Sequence, residues 1–529
     1  MMELFKKTEK KRQTPVYFSI DLKQTILNIP DMPADRSQLD VTYDLVKPYA
    51  SVHIYWDRNI NELVYSVLEP ELDENEKSTL ELVEEGIREL INISFLNAND
   101  EKTVMEYLER NVRIILNEFH IRMAQSSFLK IMYYIWRNFV GLNEIEILMR
   151  DYYIEDIECN GFNTPIYIIH RKYRNLRTNV QFNDLKTLTS FVEKLAQKCG
   201  QYISYATPLL DGRMPDGSRI NATYSSDVAT RGPNFTMRKF TSIPWTPIKM
   251  IDFRTVSPEV LSYLWILLEY GANIMIVGAT ASGKTSFLNA IAFFINPSAR
   301  IITIEDTKEI NLMHENWLPA VSRAGIGSAN ILGQKHGEVT LFDLLRESFR
   351  QRPDYVIVGE IRGKEAFVLF QGASSGHPVI STMHAESVEA LIRRLETEPI
   401  NLSPTLVESL DIVCVLTQAK VDGKPVRRLQ EIVEIVKVEK EVGKAVTNTP
   451  LARDPSTDRF YFKTDSHVFN RIMMRHGIPK EKLQMEFLLR AKLLYKMYQN
   501  KIFEFAEVQK IINEYYKTPD EVLKKFGIA

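Results

Sequence analysis

Cysteine is scarce in this chain: 529 residues contain three, Cys159, Cys199 and Cys414. They lie far apart and form no Cys-x-x-Cys pair, which argues against a disulfide framework and a four-thiolate zinc site and fits a reducing compartment. Long apolar runs are missing as well. No stretch approaches the roughly 18 to 20 residues that a membrane span needs, and residues 1 to 20 lack the apolar core of a secretion signal. Net charge is close to nil, −2 from 66 Lys and Arg against 68 Asp and Glu. The surface as a whole therefore offers no field for gripping nucleic acid or an anionic membrane, and any such contact is local. The expectation is a soluble intracellular protein. Its length is too great for one core and implies two to four domains.

What the chain does have is NIMIVGATASGKTSFLNAIAFFI, residues 273 to 295. The β-branched run up to Val277 reads as a buried parallel strand, and the pattern from Lys284 suits a helix. Between them, Gly278 to Thr285 follow G-x-x-x-x-G-K-T, a spacing that lets successive backbone N–H groups wrap a phosphate chain. Four fixed positions of this kind match by chance roughly once in 10⁴ to 10⁵ windows. The residues expected to hold the phosphates are Gly278, Thr280, Ala281, Ser282, Gly283, Lys284 and Thr285. Lys284 reaches the β- and γ-phosphate oxygens, the Thr285 hydroxyl ligates Mg²⁺, and the helix aims its positive end at the anion. The expected ligands are ATP and Mg²⁺.

The stretches around this loop divide into domains. Residues 1 to 120 read as a mostly helical module, with Leu80, Val83, Ile87, Leu90 and Ile91 on one helical face and Val104, Leu108, Val112, Ile115 and Phe119 on another. Its basic start, Lys6, Lys7, Lys10, Lys11 and Arg12, is either a solvated tail or an arm for acidic lipid headgroups. Residues 121 to 240 read as an α/β domain, with Arg213, Arg219 and Arg238 at the tips or ends of strands. Such arginines are either plain surface charge or cationic forks that reach a bound triphosphate. Residues 241 to 250, TSIPWTPIKM, hold Pro244 and Pro247 and read as a hinge that is neither helix nor central strand. From 251 to 435, strand and helix alternate as in a mainly parallel sheet, which gathers ligands at the carboxyl ends of its strands. Residues 436 to 529 form a C-terminal extension with a helix from Leu483 to Tyr498.

Acids cluster where such a sheet places chemistry. RIITIED ends in Glu305 and Asp306, with Glu309 close behind, and DYVIVGE ends in Glu360, with Gly359 where an Asp often holds the metal. Glu305 and Glu360 are candidates for polarising the attacking water, against the plainer reading that they cap loops or helices. GHPVISTMH puts His377 and His384 at the two ends of one strand; seven residues apart, they face opposite sides of a regular strand and do not chelate one metal together. Each is either a phosphate sensor or a structural histidine. Arg323, Arg346, Arg350 and Arg362 crowd the same region, some of them expected at a subunit boundary.

VGATASGKT, IEDTKEI, RESFRQRPDYVIVGEIRG and GHPVISTMHAES, in this order and spacing, resemble the Walker A motif, Asp box, Walker B region and His box of the type II and type IV secretion ATPase superfamily, over about residues 140 to 435. The resemblance implies a RecA-like core joined by a short linker to a smaller N-terminal domain, in a homo-hexamer that holds ATP between the two. It also implies phosphate and Mg²⁺ binding by Lys284 and Thr285, catalysis by Glu305 and Glu360, and a His-box pair of His377 and His384. By the same match, Arg219 in SRIN and Arg238 in TMRKF are the N-terminal-domain arginines that approach the nucleotide, and Arg346 and Arg350 are those preceding Walker B. The four-cysteine zinc module of bacterial type II secretion ATPases is absent, while the long helical N-terminal module and the tail after residue 435, with its helix Leu483 to Tyr498, look most like the archaeal ATPases. The chain looks most like the archaellum motor ATPase, a resemblance that implies a motor for filament assembly and rotation working on a polytopic membrane platform protein. The competing readings are an archaeal pilus-assembly or type II secretion ATPase, a RecA-like nucleic-acid translocase, and a nucleotide-binding scaffold. A translocase calls for a basic groove or stacking aromatics, and no such stretch stands out.

Overall fold

The computed structural model describes residues 18–22, 29–90, 101–240, 244–323, 325, 336–421, 424–439, 441 and 444–528. The basic arm and the first three residues of the hinge lie outside them. The chain divides into two compact units, Met1–Phe240 and Thr241–Ala529.

The first unit holds a nine-stranded sheet in the order β1-β2-β3-β6-β5-β4-β9-β8-β7. Its strands are β1 (Asp40–Val46), β2 (Ala50–Asp57), β3 (Glu62–Leu68), β4 (Ile154–Cys159), β5 (Pro165–His170), β6 (Arg174–Gln181), β7 (Leu209–Arg213), β8 (Arg219–Thr223) and β9 (Asn234–Arg238). The helices Glu74–Leu90 and Glu101–Glu118 are there as expected, and bury Val83, Ile87, Val104, Leu108, Val112 and Ile115. Phe119 is not on that face: it follows the helix end and is exposed. The expectation of a mostly helical module is corrected by β1 to β3, where alternation such as exposed Asp40, buried Val41, exposed Thr42 and buried Tyr43 fits a half-buried strand. These strands join the rest of the sheet through the parallel pairs Val64 with Arg177 and Tyr65 with Thr178.

The second unit is built on another nine-stranded sheet, ordered β12-β11-β13-β14-β10-β15-β16-β17-β18. Its strands are β10 (Ile274–Gly278), β11 (Ile301–Glu305), β12 (Trp317–Val321), β13 (Tyr355–Val358), β14 (Val379–Met383), β15 (Ile412–Val421), β16 (Lys424–Val438), β17 (Ala445–Asp454) and β18 (Arg459–Phe462). The strands from β12 to β15 pair in parallel, and β15 to β18 continue as an antiparallel meander. β10, β11, β13 and β14 are buried at every position, as strands covered on both faces must be. One order decides the site: β14 lies between the loop-bearing β10 and the acid-bearing β13.

Two expectations change here. The hinge stretch is not wholly irregular, because Pro247 opens the short helix Pro247–Asp252 with Thr246 as its cap, and a proline costs a helix nothing at its first position. The C-terminal extension is integral to the unit, its Leu493, Leu494, Met497, Val508 and Ile512 sharing one core cluster with Leu268, Phe294 and Ile412. A buried carboxylate fastens part of it. Glu434 on β16 accepts from Tyr263 Oη at 2.7 Å, Asn448 Nδ2 at 2.6 Å and the His467 and Val468 amides at 2.8 and 3.1 Å, so it anchors the first turn of helix His467–His476. Among the described residues, no helix is long and apolar enough to cross a membrane.

Candidate functional site

β10 ends at Gly278 and the helix Lys284–Ala292 starts six residues later, with Gly283 as its N-cap in the left-handed region and no side chain capping it. The first amides of that helix have no carbonyl one turn back, so they present donors to whatever lies in front of the loop. A side chain at Gly278 would put Cβ 2.5 Å from the Leu416 carbonyl oxygen and 2.5 Å from Ser282 Oγ, so the tight approach requires glycine. Ser282 is buried, and its hydroxyl has no hydrogen-bond partner among the described residues. A buried hydroxyl left over just ahead of a helix N-terminus is the deficit that a phosphate oxygen satisfies.

Lys284 is mostly buried. Its ammonium donates to the carbonyls of Gly278 and Ala279, both at 3.0 Å, and stands 3.1 Å from His384 Nδ1. Burial lowers its pKa, and the nearby Glu360 carboxylate works against that. His384 carries the network onward: its Nε2 lies 3.1 Å from Glu360 Oε1, an ion-pair distance that misses hydrogen-bond geometry and leaves that buried oxygen without a hydrogen-bond partner among the described residues. Burial lowers the His384 pKa, offset in part by Glu360 and reinforced by the Lys284 charge. A neutral ring facing an ammonium must accept at Nδ1, so the proton sits on Nε2, toward Glu360. The other Glu360 oxygen takes a 2.6 Å hydrogen bond from Arg362 Nη2. The strand order makes this possible, since β13 carries Glu360 just past its end, β14 carries His384 just past its own, and β10 leads into the loop.

The remaining predicted residues fall into place or away from it. Glu305 is buried at the end of β11, and its Oε1 accepts from the Glu309 and Ile310 amides at 2.8 and 2.9 Å. That is the loop-capping reading, and it positions the segment behind the acid cluster. Asp306 accepts from Ser322 Oγ. Thr285 lies in the helix's first turn, where a metal beside the phosphates would meet its hydroxyl. The two histidines flank the two ends of one strand, β14, Val379–Met383. His384 follows the carboxyl end, beside the loop. His377 precedes the amino end, packed edge-on against Phe349 at 5.1 Å and bordering a hollow of about 500 Å³ with Tyr270 and His476.

In the other unit, Arg219 makes a two-pronged pair with Asp211 at 3.1 and 2.9 Å, and Arg238 pairs with Asp156 at 3.2 Å. Arg213, Arg219 and Arg238 are cross-strand partners in one row over β7, β8 and β9, a like-charge alignment that costs stability unless anions accompany it. Arg346 and Arg350 are exposed on and just after helix Leu341–Ser348, and the Arg323 side chain donates to the Gly337 carbonyl. Two residues that the sequence did not single out also face the loop: Gln418, whose Nε2 donates to the Thr280 carbonyl at 3.2 Å, and Arg427, whose Cδ would lie 3.2 Å from a Cβ at Gly283. Both come from strands that reach the loop only through sheet order, and no local motif announces them.

MJ0900, an uncharacterized protein of Methanocaldococcus jannaschii, is 38% identical over 416 residues, covering 78% of this chain and 74% of that one. The type IV secretion system protein PtlH of Bordetella pertussis is 26% identical over 279 residues, 47% of this chain and 81% of its own. Among solved structures, the Yersinia pseudotuberculosis ATPase DotB aligns at 16% identity with a TM-score of 0.40, covering 70% of this chain and 92% of that one. The Type II/IV secretion system protein family matches residues 143–449, more than half of the sequence, and the chain belongs to that family.

Proposed function

We propose that this protein is a Mg²⁺-dependent ATP hydrolase that works as a hexameric motor for a pilus-like or archaellum-like filament. The observation that carries the enzymatic part is the connected set Lys284, His384, Glu360 and Arg362, which joins the phosphate loop to a strand-end acid through a neutral imidazole. Lys284 binds the β- and γ-phosphate oxygens and offsets the charge that builds on them. Glu360 takes the proton from, or orients, the attacking water. His384 reports γ-phosphate occupancy between the two, because an anion that draws the Lys284 ammonium forward breaks its contact with Nδ1. Thr285 holds Mg²⁺, an ion that needs only one or two protein ligands when phosphates and water supply the rest. Glu305 supports catalysis by shaping the loop behind the acids, and Arg219 and Arg238 serve as nucleotide contacts.

Family membership supports the motor reading. A polytopic membrane platform protein is the proposed partner, with the basic N-terminus touching anionic lipid and the protein sitting at the inner face of the membrane. Phosphate release by the full chain tests this, with vesicles of anionic phospholipid and with single-stranded DNA as separate additions. Stimulation by the vesicles alone is the expected result. Stimulation by DNA alone would replace the motor with a nucleic-acid translocase, and no turnover under any condition would leave a nucleotide-binding scaffold.

A further inference from the structure

The antiparallel hairpin of β15 and β16 grips the phosphate loop from the side opposite His384. Gln418 and Arg427 are register partners across that hairpin, so their side chains leave the same face. Both reach the loop. Gln418 donates to the Thr280 carbonyl, and the Arg427 stem runs so close to Gly283 that a Cβ there would meet its Cδ at 3.2 Å. The guanidinium carbon lies 5.9 Å from the centre of the Trp245 ring, which in turn packs on Phe253 at 4.8 Å. Among the described residues, this guanidinium has no carboxylate partner.

That placement is unfavourable in isolation. A cation held beside the N-terminus of helix Lys284–Ala292 faces the positive end of its dipole, which helices stabilise with anions and not with cations. Lys284 adds a second positive charge at the same turn. Arginines elsewhere in this unit illustrate the alternative: Arg428, the next residue, is buried and ion-paired with Asp458 at 2.9 Å. Arg427 is instead held over an aromatic face, which keeps the charge in place without consuming its donors. A planar group with five N–H donors, its stem packed against the turn at Gly283 that opens the helix, is arranged for an anion that bridges it and the first helix amides.

We infer that Arg427 is a phosphate-binding residue of the nucleotide site, a second cation for the triphosphate chain on the flank opposite His384, with Gln418 fixing the loop against it and Trp245 holding the guanidinium in place. The inference rests on the reading of the loop as a nucleoside triphosphate site and adds a contact from outside the loop. Because the partner is the phosphate chain and not the base, Arg427 strengthens ATP and GTP alike.

The test is equilibrium binding of ATP, ADP and GTP to the full chain carrying Arg427→Gln or Arg427→Lys, each at two salt concentrations. Loss of a charge-assisted hydrogen bond predicts an increase in Kd of about tenfold or more for all three nucleotides in Arg427→Gln. Arg427→Lys recovers part of this, and the salt dependence of binding flattens in Arg427→Gln. Gln418→Glu offers a second route that leaves the arginine in place: a carboxylate opposite Arg427 pairs with it and weakens nucleotide binding in the same direction. Kd values within twofold of the unsubstituted protein in both Arg427→Gln and Gln418→Glu overturn the inference, as does a loss confined to one base. If the unsubstituted chain binds no nucleotide, the phosphate-loop reading itself fails, an outcome distinct from normal binding by the variants.

Discussion

Glu360→Gln separates chemistry from folding more cleanly than any other change in the site. The substitution keeps the shape and volume of the side chain and removes one negative charge. Its structural cost is small. The pair it weakens, with Arg362, involves a guanidinium side chain that is 62% exposed, and exposed pairs contribute about 0 to 1 kcal/mol. In a domain of this size that amounts to a Tm change of about 4 °C at most. The expected catalytic cost is far larger, about 10²- to 10⁴-fold in turnover for a positioned base, equivalent to about 3 to 5 kcal/mol of barrier. Nucleotide affinity moves the other way or not at all, because an anion near the phosphates has been removed. Phosphate release at saturating ATP gives the first quantity and a fluorescent ATP analogue the second. Turnover within threefold of the unsubstituted protein would refute the role of Glu360. So would a loss of affinity in proportion to the loss of rate, which would mark the residue as a structural support for the loop.

Other predictions follow from particular contacts. Gly278→Ala drives a Cβ to 2.5 Å from a backbone oxygen; the loop must shift, nucleotide affinity falls at least tenfold, and overpacking costs about 1 to 3 kcal/mol, both readable by titration and thermal melting. Glu434→Ala strands the Tyr263 hydroxyl, the Asn448 amide and two helix amides in the interior, so urea unfolding of this unit should show a loss of about 3 to 5 kcal/mol. His170 in the first unit is buried between the rings of Tyr153 and Tyr173, and burial pushes its pKa down to about 4. With an unfolded value near 6.5, the unfolded chain binds the extra proton first. Stability is therefore full above about pH 6.5 and falls by about 3 kcal/mol as the pH drops toward 4. His170→Gln, which does not titrate, should flatten that part of the pH profile in denaturant titrations.

The phosphate loop was legible because its chemistry is local: strand, glycine turn, lysine and helix follow one another along the chain, and Gly278 to Thr285 lie together whatever the rest does. Glu360 and His384 were legible as candidates from their places just past apolar strands. Their juxtaposition with Lys284 was not, since it depends on β14 lying between β10 and β13, and nothing in a parallel strand's own residues states which strand pairs with it. The same reason hid Gln418 and Arg427. His377 shows the reverse case: the strand between it and His384 is legible in the sequence, but the packing of His377 on Phe349 is not, because that ring comes from a separate element. β1 to β3 were missed although Val41, Tyr43, Val52 and Ile54 do alternate with more exposed residues, because the strong helical periodicity of residues 80 to 115 dominated the reading of that region. Their connection to the sheet is a parallel pairing more than a hundred residues away in sequence.

The central claim, that the loop around Lys284 is the seat of nucleotide binding, is tested most directly by equilibrium binding of Mg·ATP to the full chain and to Lys284→Ala. The account predicts one saturable site per chain in the unsubstituted protein, weakened at least a hundredfold in the variant, whose melting temperature stays close to that of the parent. Equal affinity in the two proteins would contradict it.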